Sequence, residues 1–205
     1  MADIVIDNMT GTNWDDIIDR PGELGATWTY HPSASPRWYL YNNQVHCGVG
    51  GPAFANGVPP TANYTVECKY IIYTPIPSLN LGIAGRMDVG ADTYYALYYQ
   101  SGELVLMKRV AGVTTSLGTW ISALSGGGAS YDFSLEMIGT AIKAYVNGVQ
   151  RISATDSAIA AAGRAGIRSI GVNDAATGHH IDNFKASDSS IAAAGRVFAS
   201  GFVGI

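Results

Sequence analysis

Four histidines, two cysteines, sixteen carboxylates and twelve tyrosines are the residues of this chain with which chemistry could be done, and their spacing decides which chemistry is open. Cleaving a glycosidic bond needs two carboxyl groups flanking it, about 5–5.5 Å apart for retention and about 6.5–9.5 Å for inversion. Glu23, Glu67, Glu103 and Glu136 each stand without a second acid at an alternate strand position, and the tightest acidic group, Asp15, Asp16 and Asp19, falls in a loop. No G-x-S-x-G elbow and no C-x2-C pair is present. His179 and His180 are neighbours on a predicted strand, so they point to opposite faces and cannot share an ion. No catalytic residue and no enzyme is expected.

The aromatic run Thr93–Tyr99, TYYALYY, offers binding in place of catalysis. On a strand Tyr94 and Tyr98 share a face with Ala96, while Tyr95 and Tyr99 share the other with Leu97. One pair must face the core. The other stands outside, where a sugar ring or a protein partner can stack on it. Arg86, at the end of the preceding strand, is placed to add a polar contact. Arg86, Tyr94 and Tyr98 are therefore the candidate glycan- or partner-binding residues, although half-buried tyrosine is also simply a good strand residue.

The elements that must position these residues are strands. In YDFSLEMIGTAIKAYVNGVQRISATD, Tyr131–Asp156, Phe133, Leu135 and Met137 alternate with polar residues. After a turn containing Gly139, Ile142, Ala144 and Val146 share one face, and Asn147-Gly148 supplies the two positive-φ residues of a type I′ hairpin. Three strands joined this tightly form an antiparallel meander, wet on one face and packed on the other. Elsewhere, turn signals every 8–12 residues separate runs such as Arg37–Leu40, Gln44–Val49, Tyr64–Tyr73, Leu79–Met87, Glu103–Arg109, Thr114–Trp120, Arg164–Gly171 and His179–Ala186, the spacing of an all-β sandwich. About thirteen strands result. Gly50–Asn63 reads as a loop, and Asp156–Gly163 as a single helical turn capped by Asp156.

Composition agrees. With 14% charged residues, 10% aromatics and 25 glycines in 205 residues, the chain suits many short strands in one large domain. A net charge of −4 and only four lysines argue against a nucleic-acid partner. No run of 18 apolar residues suggests a membrane span. The N-terminus has no basic segment, long apolar run or small-residue cleavage site, so a chain made in the cytoplasm without a Sec signal is expected, with Cys47 and Cys68 as small buried residues. Whether those two pair is left open. The final segment, 189–205, ends in Val197–Ile205 without a charged side chain. Its Val197, Phe198, Phe202, Val203 and Ile205 would be costly to leave in water, so the segment either folds back on its own sandwich or, the favoured reading, is an assembly tail that docks on a neighbouring subunit. The tail also echoes an internal stretch: DSAIAAAGR at Asp156 returns as DSSIAAAGR at Asp188.

Several stretches together, MADIVIDNMTGT, ELGATWTYHPS, TYYALYYQSGELVLMKRVAGVTTSLGTW, YDFSLEMIGTAIKAYVNGVQ and ATGHHIDNFKASD, resemble a bacteriophage- and bacteria-associated branch of the concanavalin A-like, or laminin-G-like, jelly rolls. The resemblance spans about residues 2–188. It implies an antiparallel jelly-roll β-sandwich, and a non-enzymatic virion subunit such as a head decoration or tail-associated protein, made in a host cytoplasm, carried in the virion, and docking to itself and to other virion proteins. The alternative it implies is a lectin-like module that binds cell-surface polysaccharide, with a glycoside hydrolase behind that. It also names calcium as the one candidate ion, with Asp88, Asp92, Asp174 and Asp182 in or near rim loops as candidate ligands. Turn-forming aspartates would look the same.

Overall fold

The computed structural model of the chain describes residues 2–32, 35–75, 79–121, 124–172 and 175–189. Along them run β1 (Asp3–Asp7), β2 (Trp28–Tyr30), β3 (Arg37–Tyr41), β4 (Gln44–Val49), β5 (Ala53–Ala55), β6 (Tyr64–Ile72), β7 (Asn80–Asp88) and β8 (Thr93–Gln100). Then follow β9 (Glu103–Val110), β10 (Val113–Ile121), β11 (Ala129–Ile138), β12 (Ala141–Val146), β13 (Val149–Thr155), β14 (Arg164–Ile170) and β15 (His179–Asp188). A 3-10 turn, Ile17–Asp19, is the one helical element among the described residues. Among the described residues the strand count is fifteen rather than about thirteen: the Gly50–Asn63 loop holds β5, which pairs with both β2 and β14.

All pairings are antiparallel and fall into two sheets. One runs β13-β12-β11-β6-β15-β4-β3, with β1 also paired to β15; the other runs β10-β9-β8-β7-β14-β5-β2. Turn chemistry sets the hairpins. Asn42-Asn43, Ser101-Gly102, Ala111-Gly112 and Asn147-Gly148 all have positive φ at both residues, the requirement of the two-residue turn whose twist matches the strands.

The meander keeps the expected register: Phe133, Leu135, Met137, Ile142, Ala144 and Val146 are all buried. They meet Tyr95, Leu97, Tyr99, Leu104 and Leu106 of the opposite sheet in one core. Tyr70 stacks on Phe133 with ring centroids 4.5 Å apart. Cys47 on β4 and Cys68 on β6 are both free and buried, with β15 between their strands. Burial pushes the Cys47 thiol up to about 12 and the Cys68 thiol above the ordinary range.

Residues 156–163 carry no helical turn. Tertiary partners take the backbone groups a helix would use: Ile159 N donates to Tyr95 Oη at 3.3 Å, and Ile159 O accepts from Arg86 Nη1 at 2.8 Å. Asp156 still behaves as a local cap, its Oδ1 accepting from Ala158 N at 2.9 Å. The same carboxylate takes Tyr95 Oη at 2.7 Å and Lys108 Nζ at 2.5 Å, which ties the loop to β8 and β9.

Candidate functional site on the outer face of the seven-stranded sheet

Of the two tyrosine pairs on β8, Tyr95 and Tyr99 enter the core and Tyr94 and Tyr98 lie on the outer face. Strand rise puts the outer pair roughly 13 Å apart, with Ala96 between them. They do not form an open aromatic shelf. Tyr94 is only 3% exposed, sealed in a second apolar cluster with Phe54, Ala84, Met87, Ala96, Val105 and Met107, and Tyr98 alone stays partly open at its edge.

Register explains what covers Tyr98. Tyr98 pairs with Gly82 on β7, and Gly82 pairs with Arg168 on β14, so the three lie in one row across the sheet. A Cβ on Gly82 would stand 2.0 Å from Leu97 O and 2.6 Å from Tyr98 Cα, so only glycine fits at the middle of that row. Across that gap the Arg168 guanidinium carbon sits 4.8 Å from the centre of the Tyr98 ring, a cation-π contact. The Tyr94 hydroxyl also interacts electrostatically with Arg168. It is 4% exposed and its Nε has no partner. Burial pulls its pKa below the usual arginine value, and burial likewise pushes the Tyr94 hydroxyl up.

Beside these side chains lies a cleft of about 290 Å³, lined by Gly50, Gly51, Pro52, Asp92, Tyr94, Arg109, Arg168 and the end of β14. Arg109 pairs with Tyr94 across the β8–β9 ladder and grips Asp92, Nε at 2.7 Å and Nη2 at 2.6 Å from Oδ2. That contact holds the Arg109 pKa above its ordinary value. The face thus presents one aromatic edge, one neutralised ion pair and one further guanidinium.

Arg86 belongs elsewhere, which corrects its assignment to this face. Left-handed backbone at Arg86 (φ 48°), beside the irregular pairing between Gly85 and Asp88, turns the side chain inward. There it donates to Ala62 O, Ile159 O and Gly139 O at 2.8–2.9 Å and lies 5.8 Å from the Tyr95 ring. It clamps three loops at the rim of the sandwich.

The three calcium candidates among the described residues each have a protein partner. Asp88 caps Gly90 N at 2.8 Å, Asp92 is held by Arg109, and Asp182 sits on β15 in the other sheet, where it accepts from Asn183 N at 2.7 Å. Asp174 lies outside the described residues. Among the described residues no three His, Cys, Asp or Glu side chains assemble into a metal-binding group. The histidines do diverge: His179 Nδ1 meets Tyr70 Oη at 2.8 Å in the core, whereas His180 Nδ1 meets Gln44 Oε1 at 2.9 Å and its ring stacks on His46.

A larger groove, about 700 Å³, crosses the outer face of the eight-stranded sheet between Glu67, Lys69, Asp132, Glu136, Tyr145 and Lys185. Sequence spacing left these acids isolated; strand pairing sets Glu67 opposite Ser134, between Asp132 and Glu136. Lysines interleave with them, Lys143 reaching Glu136 at 3.3 Å and Lys185 reaching Asp3 at 3.0 Å, so the charge of this face is largely balanced.

Ser189 still packs on the sandwich, its Oγ 3.0 Å from Thr65 Oγ1 and its N 2.9 Å from Asn63 O. The assembly residues Val197, Phe198, Phe202, Val203 and Ile205 lie outside the described residues. Among the described residues no helix is long and apolar enough to cross a membrane.

No protein-family model matches the chain, and no curated protein matches it in sequence. Solved structures do match in shape. A carbohydrate-binding module, CBM66 from Bacillus subtilis, aligns with a TM-score of 0.65 at 15% identity, over 78% of this chain and 95% of its own. A Bacillus subtilis protein of unknown function with a galectin-like fold aligns with a TM-score of 0.62 at 10% identity, over 90% and 98%. The GH43 protein BlXynB from Bacillus licheniformis aligns with a TM-score of 0.56 at 15% identity, over 84% of this chain but 39% of its own. None of the three is described as a virion protein. At such identities the likeness is one of fold, an antiparallel β-sandwich shared with a carbohydrate-binding module and a galectin-like protein, consistent with the jelly-roll sandwich that the resemblance implied.

Proposed function

We propose that this protein is a lectin-like glycan-binding module and that it binds through the outer face of the seven-stranded sheet, around Tyr94 and Tyr98. The observation that carries the reading is a 290 Å³ cleft edged by Tyr94, Arg109, Arg168 and Asp92, whose Arg168 also contacts the partly open Tyr98 ring. Sugar recognition calls for this combination, an aromatic surface for the apolar face of a ring and a few fixed polar groups for its hydroxyls. The fold likeness to a carbohydrate-binding module supports the class of ligand. No reaction is proposed at this face.

A glycan array probed with the purified protein tests the reading. Wild type should retain at least one class of glycan. Tyr98→Ala should weaken that binding at least tenfold, the stacking and the anchoring of Arg168 being lost together, and adding Tyr94→Ala should abolish it. Asp15→Asn, in a loop remote from β8, should change little. Wild type that binds no glycan would overturn the proposal.

A further inference from the structure

Among the described residues, charge pairing around the cleft leaves one cation unmatched. Arg109 has its carboxylate, Asp92, at 2.6 Å. Arg168 has none: among the described residues the Tyr94 hydroxyl is its polar neighbour, its guanidinium carbon lies 4.8 Å from the centre of the Tyr98 ring, and its Nε donates to nothing. A guanidinium taken out of water ordinarily comes with an acid, because its hydration is otherwise lost without return. The nearest acid in the cleft is already committed, and Arg109 adds repulsion instead of relief. The surroundings also hold the group ready. Gly82 leaves room for the side chain to cross β7, and burial with the Tyr98 contact restrains the guanidinium, so little rotamer freedom remains to be lost when a ligand arrives.

We infer that the cleft takes an acidic sugar, whose carboxylate or sulfate group supplies the missing counter-charge to Arg168 while the ring lies toward the Tyr98 edge. The inference rests on the glycan-binding reading and narrows its ligand class. Two oxygens of a carboxylate, or two of the oxygens of a tetrahedral sulfate, can meet a guanidinium fork, and Arg109 and Tyr94 border the same cleft for a second contact. General attraction for polyanions does not account for such a preference, since the chain as a whole carries a net charge of −4.

Affinity measured by titration calorimetry in three arms tests this: oligogalacturonate against its methyl ester, dextran sulfate against dextran, and both acidic ligands with Arg168→Gln. Wild type should bind at least one acidic ligand at least tenfold tighter than its neutral partner, and the arm that shows the difference identifies carboxylate or sulfate. Arg168→Gln should erase that preference, with circular dichroism confirming that the variant is folded; an unfolded variant leaves the two wild-type arms to decide. Equal binding of acidic and neutral forms would overturn the anion inference and leave glycan binding standing. Failure of every ligand here and on the array would sink both, and an acid preference kept by folded Arg168→Gln would sink the assignment to Arg168.

Discussion

Asp7 is the residue whose change tests the packing logic of the sandwich most severely. It closes β1 at 1% exposure, and everything around it donates: Arg20 Nη2 at 2.5–2.6 Å, Trp28 Nε1 at 2.6 Å and Met9 N at 2.8 Å. Arg20, 8% exposed, has no other acid. In Asp7→Asn the shape is kept, but a buried cation loses its counter-charge and the new amide group turns two donors toward donors. Removing one partner of a buried pair costs about 3–5 kcal/mol. That is a large part of the roughly 5–15 kcal/mol that holds a domain together. At about 2–4 °C per kcal/mol for a chain of this size, the melting temperature should fall by roughly 6–20 °C. Urea unfolding followed by tryptophan fluorescence gives the free energy directly. The double variant Asp7→Asn with Arg20→Met, which removes the stranded charge, should recover at least half of the loss, because the two sites are coupled. A single-variant loss under about 1 kcal/mol, or a double variant no more stable than Asp7→Asn, would refute the claim that charge pairing and not shape is what Asp7 contributes.

Three further outcomes follow from other parts of the fold. Leu135→Ala, in the middle of β11 and fully buried, should cost about 2–5 kcal/mol in the same urea assay; a loss under 1 kcal/mol would mean the side chain is not in the core. Burial lowers the His179 pKa to about 4, so the folded state favours the neutral ring. The unfolded chain binds the extra proton first, and this stabilisation is complete above pH 6.5 and drains away as pH falls toward 4, on the order of 3 kcal/mol in all. His179→Gln should therefore show a shallower stability loss between pH 6.5 and 4 than wild type; parallel curves would dismiss the ring as the titrating group. Neither thiol should react with Ellman's reagent at pH 8 in the native protein, and both should react at once in urea, whereas prompt native labelling would contradict their burial.

What the sequence determined by itself is the local order. Alternation in Phe133–Met137 and Ile142–Val146, and the positive-φ pair Asn147-Gly148, were enough for a meander in correct register, because side-chain direction on a strand and the twist of a two-residue turn depend only on neighbours along the chain. The same alternation sorted the β8 tyrosines into two pairs. It did not say which pair was inside, since either face of TYYALYY is apolar enough to be buried; Tyr95 and Tyr99 went inward because β11 and β6 cover that side. Arg86 and Arg168 show the limit most clearly. In the sequence both are arginines on predicted strands, and a strand arginine is ordinarily a solvated one. The left-handed backbone at Arg86 and the carbonyls of Ala62, Gly139 and Ile159, from loops 24 to 73 residues away, turned it into a structural clamp. Arg168 came to lie buried against Tyr98 on the outer face through a row that joins three strands, with Gly82 making the space and Tyr98 the surface. Such placements depend on which distant backbone groups need a donor and where a missing side chain leaves room, and those are properties of the assembled sheets, not of any stretch read alone.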